Sequence, residues 1–157
     1  MDALLLVGAL GAGLVAGIFF AFSSFVMRAL ARIPDAHGIA AMQSINIAVI
    51  HPVFMMAFLG TGASCAALLV LTLVQRGPET ALTITGSLLY LVGTLLVTMV
   101  FNVPRNDALA ALDPASEEAA PRWRDYVAGW TAWNHVRTAA ALAAAACFTI
   151  ALCDRMG

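Results

Sequence analysis

Four stretches of this chain stay apolar for about 20 residues or more, the length an α-helix needs to cross the hydrocarbon core of a bilayer. They are Ala3 to Met27, the segment 46–74, Ala81 to Val103, and the segment 127–153. In lipid the backbone must satisfy its own hydrogen bonds, so such runs are read as helices. The two-residue alternation of a membrane barrel is absent. Composition agrees: 62% of the 157 residues are hydrophobic and 11% are charged, against about 25% charged in a soluble domain. The expected fold is all-α, a single polytopic membrane domain over residues 1–157 with four transmembrane helices packed up and down. Asp2 stands where a signal peptide would carry positive charge, and the run behind it is too long for a cleaved leader, so the first span is read as retained.

Charge narrows the partners. The net charge is -1, there is no Lys, and the Arg residues form no basic run, so nothing points to nucleic acid. The partners expected are the lipid bilayer and a small lipophilic substrate, and a homo-oligomer is compatible with the sequence. Cys65, Cys147 and Cys153 lie in apolar stretches without a paired spacing and read as free thiols.

The connections differ. Arg28 to Gln43 reads as a moderate loop, and Gln75-Arg-Gly-Pro-Glu79 as a tight turn. Pro104 to Arg122 is a longer loop in which Asp113-Pro114 resembles a helix start, predicting a short surface helix there. The last helix is predicted to begin at Pro121. Both termini and the tight turn fall at one end, and the two long loops at the other. The long loops carry Arg28, Arg32, Arg105, Arg122 and Arg124 against Arg76 and Arg155 opposite. The positive-inside rule then expects cytoplasmic long loops and outside termini, in a bacterial inner membrane. Small residues at Ala9, Gly13, Gly17 and Ala21, at Gly60, Ala63 and Ala67, and in the alanine runs 139–141 and 143–146 predict close helix packing.

Polar residues are concentrated at the long-loop end. Gln43, Asn46 and His51 stand near the start of the second span; Asn102, Arg105 and Asn106 end the third; Trp130, Trp133, Asn134, His135 and Arg137 open the fourth. Polar groups in lipid cost free energy unless they have partners or line a cavity. Trp130, Asn134 and Arg137 share one helix face. An inward Arg137 can bind an oxyanion; an outward one would snorkel among headgroups, where Trp123 and Tyr126 read as an interfacial aromatic belt. Asn102 and Asn106 either cap the third helix before Pro104 or hydrogen-bond a substrate. His51 and His135 are candidate general bases or metal ligands. No span carries a carboxylate, which leaves a poor set for zinc or non-haem iron, although two facing histidines can ligate haem.

Several segments together resemble the DUF1772 family, also called the anthrone oxygenase-like family. They are Phe22-Ser-Ser-Phe-Val-Met27-Arg-Ala-Leu30, Met42-Gln43-Ser-Ile-Asn46, Phe101-Asn102-Val-Pro104-Arg-Asn106, and Trp130-Thr-Ala-Trp133-Asn134-His-Val-Arg137. The resemblance implies a small four-helix membrane protein; some members oxidise the central methylene of polyketide anthrones with dioxygen. It also implies that Asn102, Asn106, Trp130, Asn134 and Arg137 line the site, joined by Gln43 and Asn46. On the chemistry of the residues, His135 or His51 serves as base, Arg137 and the amides hold the oxyanion, and Trp130 and Trp133 wall an apolar pocket. The set suffices for an oxygenase without a cofactor; haem or a copper or iron ion on His51 and His135 is the alternative. A binding or transport module for a lipophilic or anionic molecule uses the same cluster without chemistry, and a structural subunit uses it to dock a partner.

Overall fold

Residues 1–156 are described by a computed structural model, and among them every regular element is helical. Helix α1 runs over Asp2–Leu30, α2 over Asp35–Ala48, α3 over Pro52–Val74, α4 over Thr80–Ala110 and α5 over Ala119–Met156. All but α2 are long and apolar enough to cross a membrane, and the protein is an integral membrane protein. The four spans form a ring: α1 packs on α5 and α3, and α4 packs on α3 and α5. The pairs α1/α4 and α3/α5 lie across the diagonals.

Two regions differ from the loops expected from sequence. The first connection holds α2, whose buried Gly38, Ile39 and Met42 repeat at helical spacing. A Cβ at Gly38 would lie 2.8 Å from the Leu30 carbonyl and 2.9 Å from the Trp123 ring, so glycine permits α2 to fold over the bundle end. The second region is the stretch after Asp113. Its carboxylate accepts from Ala115 N–H at 2.9 Å, but residues 111–118 are turns and coil rather than the short surface helix. An N-cap alone does not nucleate a helix without apolar residues to pack.

His51 also sits differently from expectation. It is not inside a span but ahead of one, exposed and extended at φ -95°, ψ 139°, with Nδ1 accepting from Val53 N–H at 3.3 Å. The residue before a proline is pushed out of the α region, and proline is well suited to the first helical turn. His51-Pro52 therefore starts α3.

The expected stripe at Ala9, Gly13, Gly17 and Ala21 packs only in part: Ala9 lies against the core and a Cβ at Gly13 would stand 4.0 Å from Ala145. The buried face of α1 is Leu5, Gly8, Ala12, Val15, Ala16 and Phe19, while Gly17 and Gly60 have open space where a Cβ would stand. In α5, Ala140, Ala141 and Ala144 are buried as the alanine runs predict. Helix α4 lies close against α5 at Gly93, where an added Cβ would stand 2.5 Å from Ala140 Cβ. That atom is fixed to its backbone, so the helices must part. Gly93→Ala is expected to lower stability by about 1–3 kcal/mol, read as an earlier unfolding transition in detergent; an unshifted transition contradicts this packing.

At the termini end, Arg155 donates from Nε to Asp2 Oδ1 at 2.6 Å and from Nη1 to Glu79, tying both chain ends to the α3–α4 turn. Glu79 is buried. A hydrogen bond from its own backbone, with Arg155 adding to it, holds its carboxyl below the usual carboxylate range against the opposing effect of burial. The folded value is the lower one, so this stabilisation is present above the ordinary Glu range and lost as pH falls through the depressed value. Wild type and Glu79→Gln should melt furthest apart near neutral pH and converge on acidification; a gap that does not change with pH counts against the clamp.

Candidate functional site

One seam joins α4 and α5. Helix α5 contributes Tyr126, Trp130, Asn134 and Arg137, and α4 contributes Thr94, Thr98, Asn102 and Asn106 at a spacing of four. Four residues per turn lies between the about 3.6 of an α-helix and a wider π turn. Helix α4 is π-helical over Leu89–Leu96 and again over Thr98–Asn102, which keeps these four side chains on one side. The second π segment ends just before Pro104, which has no N–H to offer the preceding turn. The helix therefore continues to Ala110, and Asn102 and Asn106 face α5 instead of capping a helix end.

Arg137 lies inside the bundle and is 5% exposed. Its Nε donates to Asn134 Oδ1 at 2.8 Å and its Nη1 to Thr98 Oγ1 at 3.4 Å. The guanidinium carbon stands 4.0 Å from the centroid of the Phe19 ring and 4.8 Å from that of Trp130, so aromatic faces provide part of its counter-charge. Among the described residues no carboxylate pairs with it. Asn134, fully buried, is the fastener: Nδ2 donates to the Phe19 carbonyl at 2.7 Å and to Ser23 Oγ at 2.6 Å. Ser23 lies in a π-helical turn of α1 at Phe22–Val26. One side chain thus orients the guanidinium and anchors α1.

The amides around it are only partly used. Asn102 Nδ2 donates to the Trp130 carbonyl at 3.2 Å, while its buried Oδ1 has no partner. Asn106 Oδ1 accepts from Tyr126 Oη and Trp130 Nε1, both at 2.9 Å. Asn46 lies beside the Tyr126 hydroxyl, and its buried Nδ2 has no hydrogen-bond partner. This polar layer separates two apolar clusters, one around Phe58, Tyr90 and Phe148, the other around Met27, Met42 and Trp123. A buried cation without a carboxylate is costly, and it is suited to receiving an oxyanion.

A family model described as anthrone oxygenase matches residues 52–147, well over half of the chain. The chain belongs to the anthrone oxygenase family. The matched segment contains all eight seam residues, whereas Phe19, Ser23, Gln43 and Asn46 lie outside it. No curated protein and no solved structure matches the chain.

The remaining residues singled out in this family member's sequence fall elsewhere. Gln43 Nε2 donates to the Leu109 and Leu112 carbonyls at 2.8 and 2.9 Å, which caps the end of α4. Trp133 stacks on Phe101 of α4, ring centroids 3.5 Å apart, about one helical turn from Arg137 along α5. Trp123 and Tyr126 are buried rather than forming an exposed belt. His135 is exposed, because two residues along a helix turn the side chain by about 200° away from Arg137. His51 and His135 sit on diagonal helices and do not come together, and among the described residues no three His, Cys, Asp or Glu side chains group as metal ligands. A groove of about 420 Å³ between α1 and α5 is lined by His135 and Ser23, and one of about 330 Å³ beside α4 by Arg105 and Tyr126; Arg137 lines neither. Sequence reasoning missed Phe19, Thr94 and Thr98. The four-residue spacing of Thr94, Thr98, Asn102 and Asn106 was a usable signal; nothing in the apolar run around Phe19 was.

Proposed function

We propose that the protein is a membrane-embedded oxygenase that converts the acidic methylene of a lipophilic, anthrone-like aromatic ketone to a carbonyl. The observation that carries this reading is the buried, carboxylate-free Arg137, held at Nε by Asn134 in a chain of the anthrone oxygenase family. The substrate loses one methylene proton to water at the long-loop end and becomes an enolate. Arg137 favours that loss because its charge stabilises the enolate oxygen more than the neutral ketone. The electron-rich carbon then forms a bond to dioxygen, and the resulting peroxide takes up a proton. Loss of the remaining C–H proton, with cleavage of the O–O bond, leaves a carbonyl and releases water. Methylene plus dioxygen thus gives carbonyl plus water, and the substrate supplies all four electrons. Asn46 offers an unpaired N–H donor to the bound oxyanion, the Asn102 Oδ1 can accept from the O–H of the protonated peroxide, and Trp130 and Phe19 contribute flat apolar surface. His51 and His135 take no part in this scheme. The long-loop end, where the cluster lies, is read as cytoplasmic from its arginines, in a bacterial inner membrane.

Protein in lipid nanodiscs, given anthrone and isotopically heavy dioxygen, should place one heavy atom in the anthraquinone and one in water, faster than protein-free discs. Saturable anthrone binding with no acceleration of oxygen uptake would overturn the reading in favour of a binding or transport module.

A further inference from the structure

The groove between α1 and α5 is built differently from the lipid-facing surface around it. Arg28 stands at its outer end, Ser23 and Thr131 lie along it, and His135 is at its inner end. From Val127 to His135 the groove follows α5 for about 12 Å. Met27, Val127 and small alanines form the rest of its wall, and no carboxylate lines it. Thr131 Oγ1 is buried and unpaired, although a helical threonine ordinarily bonds the carbonyl four residues back. Ser23 is shared: its hydroxyl accepts from Asn134, which orients Arg137. The groove therefore adjoins the buried cluster through one side chain.

We infer that this groove is where the lipophilic substrate first docks from the bilayer, as a flat, hydroxylated aromatic anion with its charge on Arg28 and its polar edge along Thr131 and His135. The inference rests on the oxygenase reading for the identity of the ligand. Charge complementarity calls for an anion, since Arg28 and His135 face no acid within the groove. The depth of the polar groups favours this occupant over an anionic phospholipid. A lipid would satisfy Arg28 with its headgroup but bring only a hydrocarbon tail to Thr131 and His135. A volume of about 420 Å³ lies in the range of small-molecule sites, about 300–1,000 Å³.

The test uses 1,8-dihydroxyanthraquinone, which is coloured and has no methylene to oxidise. Its binding to the full chain in nanodiscs of zwitterionic lipid is followed by absorbance. Arg28→Glu should weaken binding about tenfold, and Ala132→Trp, which fills the groove from an exposed position, should weaken it at least as much. Unsubstituted anthraquinone, with no ionisable group, should be insensitive to Arg28→Glu. With turnover of a hydroxylated anthrone as readout, both variants should raise KM and leave kcat unchanged. Undiminished dye binding in Ala132→Trp overturns the site. Competition by phosphatidylglycerol that abolishes dye binding assigns the groove to lipid instead, and also overturns it. Dye binding lost in the groove variants, in a protein that never accelerates oxygen uptake, leaves the groove standing and removes the oxygenase reading.

Discussion

Arg137→Ala is expected to lower anthrone-dependent oxygen uptake by about 10²–10³-fold, the usual loss when one donor to a developing oxyanion is removed. The reason is position and dielectric together. The guanidinium is buried between two aromatic rings, and Asn134 fixes its Nε, so its charge acts on the substrate without reorganising. Arg137→Lys should recover little. An ammonium keeps the charge but lacks the planar fork that reaches Asn134 and a ligand at once. The loss should fall mainly on kcat, because the ketone oxygen gains its charge only when the enolate forms. Activity should also rise with pH in wild type, as deprotonation of the substrate becomes easier. If Arg137→Ala turns over at the wild-type rate, the cation has no part in the chemistry, and its burial must be explained by packing.

Asn134→Ala is expected to be the most damaging single change to the bundle, lowering stability by about 2–3 kcal/mol. Three groups lose their partner at once: the Phe19 carbonyl, the Ser23 hydroxyl and Arg137 Nε. Ser23 can turn to the Thr138 hydroxyl, 3.5 Å away; the carbonyl and the guanidinium, both buried, cannot reach water. Interhelical hydrogen bonds in membranes average below about 1 kcal/mol, so a loss of that size would mean the three contacts are not cooperative. Unfolding in detergent measures the stability and oxygen uptake measures the activity. Activity should fall even in the folded fraction, since the guanidinium is released to rotate. Asn134→Gln, which keeps the amide but shifts it by one methylene, should restore part of the stability and little of the activity.

Much of this protein follows from local sequence. A run of about 20 apolar residues has only one way to satisfy its backbone in lipid, so four spans were legible before any coordinates. The grouping of Trp130, Asn134 and Arg137 on one face was equally legible, because helical periodicity fixes relative direction along a single helix. The same rule, applied to His135, places it on the other side of α5 from Arg137. The His51-Pro52 pair is a helix start for a local reason as well: the residue before proline is biased towards extended backbone, although Val103 before Pro104 stays helical within α4.

What the tertiary structure alone decided is which faces meet. Hydropathy says that a helix is buried in lipid but not which neighbour it chooses, since lipid tails and apolar side chains are nearly equivalent surroundings. Choice of neighbour depends on close surface fit, as at Gly93 against Ala140 and Gly38 against Leu30. That fit put the Phe19 ring and its carbonyl beside Arg137 and Asn134 and turned Gln43 into a cap on α4. It also left the two histidines on opposite corners of the ring of helices.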